Sequence, residues 1–185
     1  MLSTMRRVTH YTSTAIRLHW WMAIGIIGAF LIGLYMTDLS LSPTKLQLYA
    51  WHKWIGVTLF ILALLRLVWR LAYRPPAPPA GMPAWQHLAA TTVHYFLYVL
   101  IFAIPLSGWL MSSAKGYQTV LFALLPLPDL LHQDQALGEV LETVHKTLNL
   151  SLAGLVLAHV AAALKHHFVD HTNVLQRMLP FLNTR

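Results

Sequence analysis

An all-α fold, a bundle of four helices that each cross a membrane, is what this sequence predicts, and three observations predict it. Of its 185 residues 57% are hydrophobic and only 10% carry formal charge, against about 25% charged in soluble domains. Four apolar runs reach the roughly 18 to 20 residues that a helix needs to cross about 30 Å of hydrocarbon. Turn-forming residues separate those runs, and of the 10 prolines only Pro105 falls inside one.

The first run is HWWMAIGIIGAFLIGLYM, His19 to Met36, and the second is WHKWIGVTLFILALLRLVWRLAY, Trp51 to Tyr73. The third, TTVHYFLYVLIFAIPLSGWLMS, covers Thr91 to Ser112, and the last covers Val144 to Phe168. With their interfacial ends the spans are about 17–36, 47–73, 86–112 and 142–168, within one domain of residues 1–185. Ser42-Pro43, the RPPAPPAGMP segment, and Gly116 with Pro126 and Pro128 mark the connections. Pro105 is expected to kink the third span. Arg6, Arg7 and Arg17 precede the first run as they would in a secretory signal, but it exceeds an h-region and no small-x-small cleavage site follows, so it is read as a true span. Cysteine is absent, which excludes disulfides, thiolate metal sites and covalent c-type haem attachment.

Four spans put both termini on one side. The terminal side holds Arg6, Arg7, Arg17, Arg66, Arg70, Arg74, Lys165, Arg177 and Arg185; the other holds Lys45, Lys53, Lys115 and Lys146 with Asp38, Asp129, Asp134, Glu139 and Glu142. Nine bases against four predict cytoplasmic termini. The net charge of +7 divides into +8 inside, nine bases less Asp170, and −1 outside, four bases less five acids. Basic residues beside spans answer to topology and anionic lipid, so no nucleic-acid partner is implied.

Of 11 histidines, six fall in or near the bilayer: His19, His52, His94, His145, His159 and His166. Ionisable side chains at that depth are costly and usually functional. His19 opens the first span and His159 closes the last, so both lie at the terminal side, whereas His52 and His145 both enter from the other side. Fourteen residues separate His145 from His159, about 21 Å of rise and about 320° of rotation, so one helix face carries both. Two imidazole pairs at two heights in a four-helix bundle suit axial ligation of two stacked b-type haems. An imidazole without a partner in an apolar core costs roughly 2–7 kcal/mol, which ligation removes. His94, at the terminal-side end of the third span, has the height to replace His19 as partner of His159.

Gly56, Gly154 and Ala161 to Ala163 leave room for a porphyrin, though small residues also serve ordinary helix packing. Arg17, Lys53, Lys146 and Lys165 stand within a turn or two of the four histidines as candidate partners for haem propionates, or as interfacial snorkellers. Histidine also serves zinc and proton transport, but transport sites usually add intramembrane carboxylates, and no acid lies deep in a span. Trp20, Trp21, Trp51, Trp54 and Trp69 read as interfacial anchors. TVLFALLPLP is too short to span and is expected to cap the outer surface.

These residues resemble the bacterial cytochrome b561 family of small four-helix di-haem membrane proteins. The resemblance covers nearly the whole chain: RLHW at His19, WHKWIG at His52, LLRLVWR before the proline-rich loop, HYFLYVLIFAIPLSGWL, and VHKTLNLSLAGLVLAHVAAALKHHFVD followed by LQRML. It implies that His19 and His159 hold the cytoplasmic haem b and His52 and His145 the periplasmic one. It implies electron transfer across a bacterial inner membrane between a quinone pool and an outside partner; in one branch superoxide is oxidised and ubiquinone reduced. By resemblance the quinone site lies at the cytoplasmic interface, where His166, with Lys165 or Arg70, is a candidate to hold the quinone carbonyl; the same residues also suit a plain helix end. The outer charge of about −1 argues against a strong superoxide funnel, with only Lys53 and Lys146 placed to make a local one. Alternatives are a relay anchor for a partner dehydrogenase or hydrogenase and a haem-free histidine transporter.

Overall fold

The computed structural model describes residues 10–79 and 81–179 and contains four long helices with one small hairpin. Helix α1 runs Ser13–Asp38, α2 Pro43–Ala72, α3 Ala84–Ala114 and α4 Gln135–Phe168; strands β1 (Val120–Leu121) and β2 (Leu125–Pro126) lie between α3 and α4. Each helix is long and apolar enough to cross a membrane. At about 1.5 Å per residue even α1, with 26 residues, exceeds a hydrocarbon core of about 30 Å.

Local chemistry sets the helix starts. Thr12, Ser42 and Asp134 accept hydrogen bonds from Ala15 N (3.2 Å), Lys45 N (3.2 Å) and Leu137 N (3.0 Å), satisfying main-chain donors that the helix leaves free. Pro43 occupies the first turn of α2, where its missing N–H costs nothing. The run of prolines after Tyr73 prevents α2 from continuing.

Successive helices pack side by side: α1 on α2, α2 on α3, α3 on α4. Gly25 admits Leu59 of α2 to within 2.9 Å of where a Cβ would stand, so α1 and α2 approach closely. Phe60 and Phe102 meet edge to face at 5.8 Å between α2 and α3. Helix α4 has no comparable packing along α1 or α2. Few side chains are buried, while Ile24, Leu31, Leu65 and Leu157 point outward, as lipid-facing residues do. The connections 39–42 and 115–134 define one end of the bundle, the loop end. The opposite, tail end holds residue 10, the 73–83 connection and the turn that follows α4.

Indole donors close both ends. Trp20 Nε1 donates to Met178 O (2.8 Å) and Trp69 Nε1 to Thr12 Oγ1 (2.8 Å) at the tail end; Trp54 Nε1 donates to Val120 O (2.7 Å) at the loop end. These three tryptophans therefore tie segments of the chain together, whereas Trp21 and Trp51 project outward. Arg6, Arg7 and Arg185, three of the nine bases on the terminal side, lie outside the described residues.

Candidate functional site

The histidines gather at two levels. At the loop end the rings of His52 and His145 are 6.2 Å apart, centre to centre, with planes at 81°. His52 Nδ1 lies 3.0 Å from Ala29 O on α1, and His145 Nδ1 lies 3.1 Å from Ile104 O on α3. A carbonyl only accepts, so in both rings Nδ1 carries the proton and Nε2 keeps its lone pair. Ser107 Oγ donates to the same Ile104 carbonyl (2.8 Å) and stands 3.0 Å from His145 Nδ1. Glycines let the rings press against neighbouring backbone: a Cβ on Gly33 would come within 3.2 Å of His52 Cε1, and one on Gly108 within 3.0 Å of His145 Cε1.

At the tail end His19 and His159 are 6.3 Å apart with planes at 68°. His94 lies 5.2 Å from His159. Arg66 stands close enough for its charge to act on all three rings, and its Nε donates to Tyr98 OH at 3.2 Å. The guanidinium of Arg70 lies over the Tyr98 ring, 5.5 Å from its centre, a cation–π arrangement.

A metal–imidazole nitrogen bond is about 2.0 Å long and the ring centre lies about 1.1 Å behind the nitrogen, so two rings sharing one metal on opposite sides have centres about 6.2 Å apart. Both the 6.2 Å and the 6.3 Å pair meet that requirement, and His94 with His159, at 5.2 Å, falls short of it. The angle between the planes is free, because each ring turns about its own metal bond. The rings of each pair come from α4 and from a helix that α4 does not pack along, which leaves width between the backbones. A Cβ built on Gly28, Gly56 or Gly154 meets nothing within 4 Å. The residues therefore fit a flat group ligated from both faces. Among the described residues no group of three or more His, Asp or Glu side chains is placed to hold one ion, which is the number of protein ligands that a zinc site takes.

The expected cations are engaged with the chain. Arg17 Nε reaches Ser13 O (3.4 Å), and Lys53 Nζ donates to Tyr117 O (2.8 Å). Lys146 pairs with Glu142 at 2.6 Å, and Lys115 pairs with the same carboxylate. Lys165 pairs with Asp170 at 2.7 Å, and His166 Nδ1 meets the same carboxylate oxygen at 2.7 Å. The hydrogen bond from Lys165, and then that from His166, hold the Asp170 carboxyl below its usual range. Arg70 instead lines a cavity at the tail end with Arg66, Trp69, Tyr11, Tyr98 and Arg74, and His166 is not part of that lining. His166 and Arg70 thus belong to two different settings.

Sequence reasoning counted Arg66 only as a base flanking a span, although a signal for it existed. It follows His52 by 14 residues, the interval from His145 to His159, so α2 repeats on one face the two-level spacing of α4. Ser107, Gly33 and Gly108 were also missed, and their role emerges only from contacts with the rings.

Comparison with known proteins agrees with this geometry. Residues 10–181 match the family described as prokaryotic cytochrome b561. The chain is 35% identical to cytochrome b561 homolog 2 of Escherichia coli (strain K12) over 168 residues, 87% of this chain and 86% of that protein. It is 30% identical to cytochrome b561 homolog 1 of the same organism over 179 residues, 94% of this chain and 98% of that one. A probable superoxide oxidase CybB of Yersinia pestis is 29% identical over 180 residues, 92% and 96% of the two chains. With four membrane-spanning helices and paired histidines, this chain belongs to the prokaryotic cytochrome b561 family of haem b membrane electron-transfer proteins.

Proposed function

We propose that the protein binds two haem b groups, one between His19 and His159 and one between His52 and His145, and moves single electrons between the periplasm and the ubiquinone pool. The observation that carries this reading is the pair of matched ring separations, 6.2 and 6.3 Å, at two levels of one bundle. Haem, when bound, supplies two one-electron iron centres. The chain supplies the rest: Ala29 O and Ile104 O fix ring tautomer and orientation at the loop end, and Arg66 offers a positive charge to propionates at the tail end.

The favoured net reaction oxidises two superoxide anions to dioxygen and reduces one ubiquinone to ubiquinol with two protons. A relative named as a probable superoxide oxidase supports that substrate. The excess of Arg and Lys at the tail end supports termini in the cytoplasm. His166, donating Nδ1–H to Asp170, takes up a proton from the cytoplasm at Nε2 and passes it to a quinone oxygen, while Lys165 steadies the carboxylate.

Purified protein should be red, with a b-type reduced-minus-oxidised spectrum and two haems per chain. Under anaerobic conditions a superoxide source should reduce it, and added ubiquinone should reoxidise it. A colourless folded preparation sinks the haem reading and favours a transporter. His166→Phe with intact spectra and unchanged quinone reduction removes the proposed role of His166. A second reading, relay from a protein donor, is favoured by one observation: Glu142 pairs with both Lys115 and Lys146 beside the loop-end pair, so these three charges sum to only +1 and the field that would attract superoxide is weakened. Superoxide-driven reduction that ignores ionic strength, with a redox partner that co-purifies, supports the relay.

A further inference from the structure

Between Lys115 and Asp129 the chain carries no charged residue, and this stretch folds into the β1–β2 hairpin at the loop end. Its tip is apolar and open: Phe122, Leu124 and Leu125 are 55%, 86% and 57% exposed. Turns that face water use Asn, Asp or Gly where φ is positive. Here Phe122 and Ala123 take those conformations, with φ of 50° and 59°, at a cost of roughly 1–2 kcal/mol each. The Phe122 ring rests on Trp54 at 5.6 Å.

The hairpin does not stand above the bundle. Trp54 Nε1 bonds Val120 O, and Trp54 lies 11 residues inside α2, about 16 Å below its first residue. Trp109 Nε1 bonds Pro128 O at 3.1 Å, five residues before the end of α3. The segment is therefore folded back along the α2–α3 flank, level with the start of the second apolar run at Trp51. Directly below it, Val57, Phe60, Leu106 and Trp109 line an apolar groove on the lipid-facing side. Two indoles, an apolar tip and continuity with the lipid-facing surface describe an element of the membrane interface.

We propose that the tip of the 120–126 hairpin is seated in the interfacial layer of the leaflet at the loop end, held on the α2–α3 flank by Trp54 and Lys53, which bond Val120 O and Tyr117 O. Its irregular backbone keeps it out of the hydrocarbon centre, where unpaired main-chain groups are not tolerated.

The chain has no cysteine, so Leu124→Cys gives one labelling site, and 86% exposure of Leu124 means that the change removes little packing. The full-length protein carrying an environment-sensitive fluorophore there is placed in phosphatidylglycerol–phosphatidylcholine vesicles. Expected are blue-shifted emission relative to water and stronger quenching by lipids with a nitroxide near the headgroup than by lipids with one deep in the chain. Asp38→Cys, labelled alike, should be quenched by aqueous iodide. Iodide quenching at position 124 without nitroxide quenching overturns the proposal. So does shielding from both quenchers, which indicates cover by protein or a second copy, or stronger quenching from the deep nitroxide.

Discussion

The two histidine levels differ in how they are held. At the loop end each ring is fastened by Nδ1 to a main-chain carbonyl of a neighbouring helix and pressed against a glycine. At the tail end, among the described residues, neither His19 nor His159 has such a bond; the setting is instead a third ring, His94, and the charge of Arg66. One level is held by main-chain geometry, and the other is shaped by charge. The difference suits their proposed tasks, since the loop end meets a donor from water, while the tail end exchanges electrons with a carrier whose protonation accompanies reduction.

The sharpest way to break this comparison is to remove ligands. His145→Ala should abolish one haem and leave the other's spectrum intact, and His19→Ala should do the converse; His94→Phe should keep both. Pyridine haemochrome counts with low-temperature spectra read all three, and loss of a haem in His94→Phe would reassign the tail-end pair. Next in size is Gly154→Val. Beyond the helix's own adjoining backbone no protein atom lies within 4 Å of the new Cβ, so helix content should persist while haem content falls. Full haem retention would show that no porphyrin lies against that face.

Arg66→Met should then lower the reduction potential of one haem only, because a lost positive charge disfavours the added electron. The shift should be on the order of 60 mV, a tenfold change in a one-electron equilibrium, and redox titration followed at two wavelengths separates the two centres. The smallest effect belongs to Ser107→Ala. The loop-end level loses one hydroxyl but keeps the Ile104 carbonyl on Nδ1, so stability should fall by about 1 kcal/mol. The potential of that haem alone should move slightly. Equal movement of both haems would refute the independence of the two levels.

Some of this arrangement is legible in residue types and some is not. Apolar runs bounded by Ser42-Pro43 and the proline-rich segment declare the four helices, because lipid imposes a length that soluble folds do not. The heights of His19, His52, His145 and His159 follow from position along a span. The choice between His19 and His94 does not, since it depends on which way two helices face, and that is fixed by packing such as Gly25 on Leu59. Ala29 O and Ile104 O are invisible to any reading of side chains, because every residue carries a carbonyl. The hairpin escaped for another reason: TVLFALLPLP lacks both the alternation and the glycine turn that announce paired strands.

Helix α4 contributes one ring to each pair yet, among the described residues, packs chiefly along α3. The first two helices thus reach the fourth by way of α3, and directly only through whatever lies between the imidazoles. A newly inserted chain without porphyrin would hold α4 only weakly against α1 and α2 and offer itself to membrane proteases. The amount of this protein in a cell should accordingly follow the supply of iron and tetrapyrrole, even where its gene is transcribed at a constant rate.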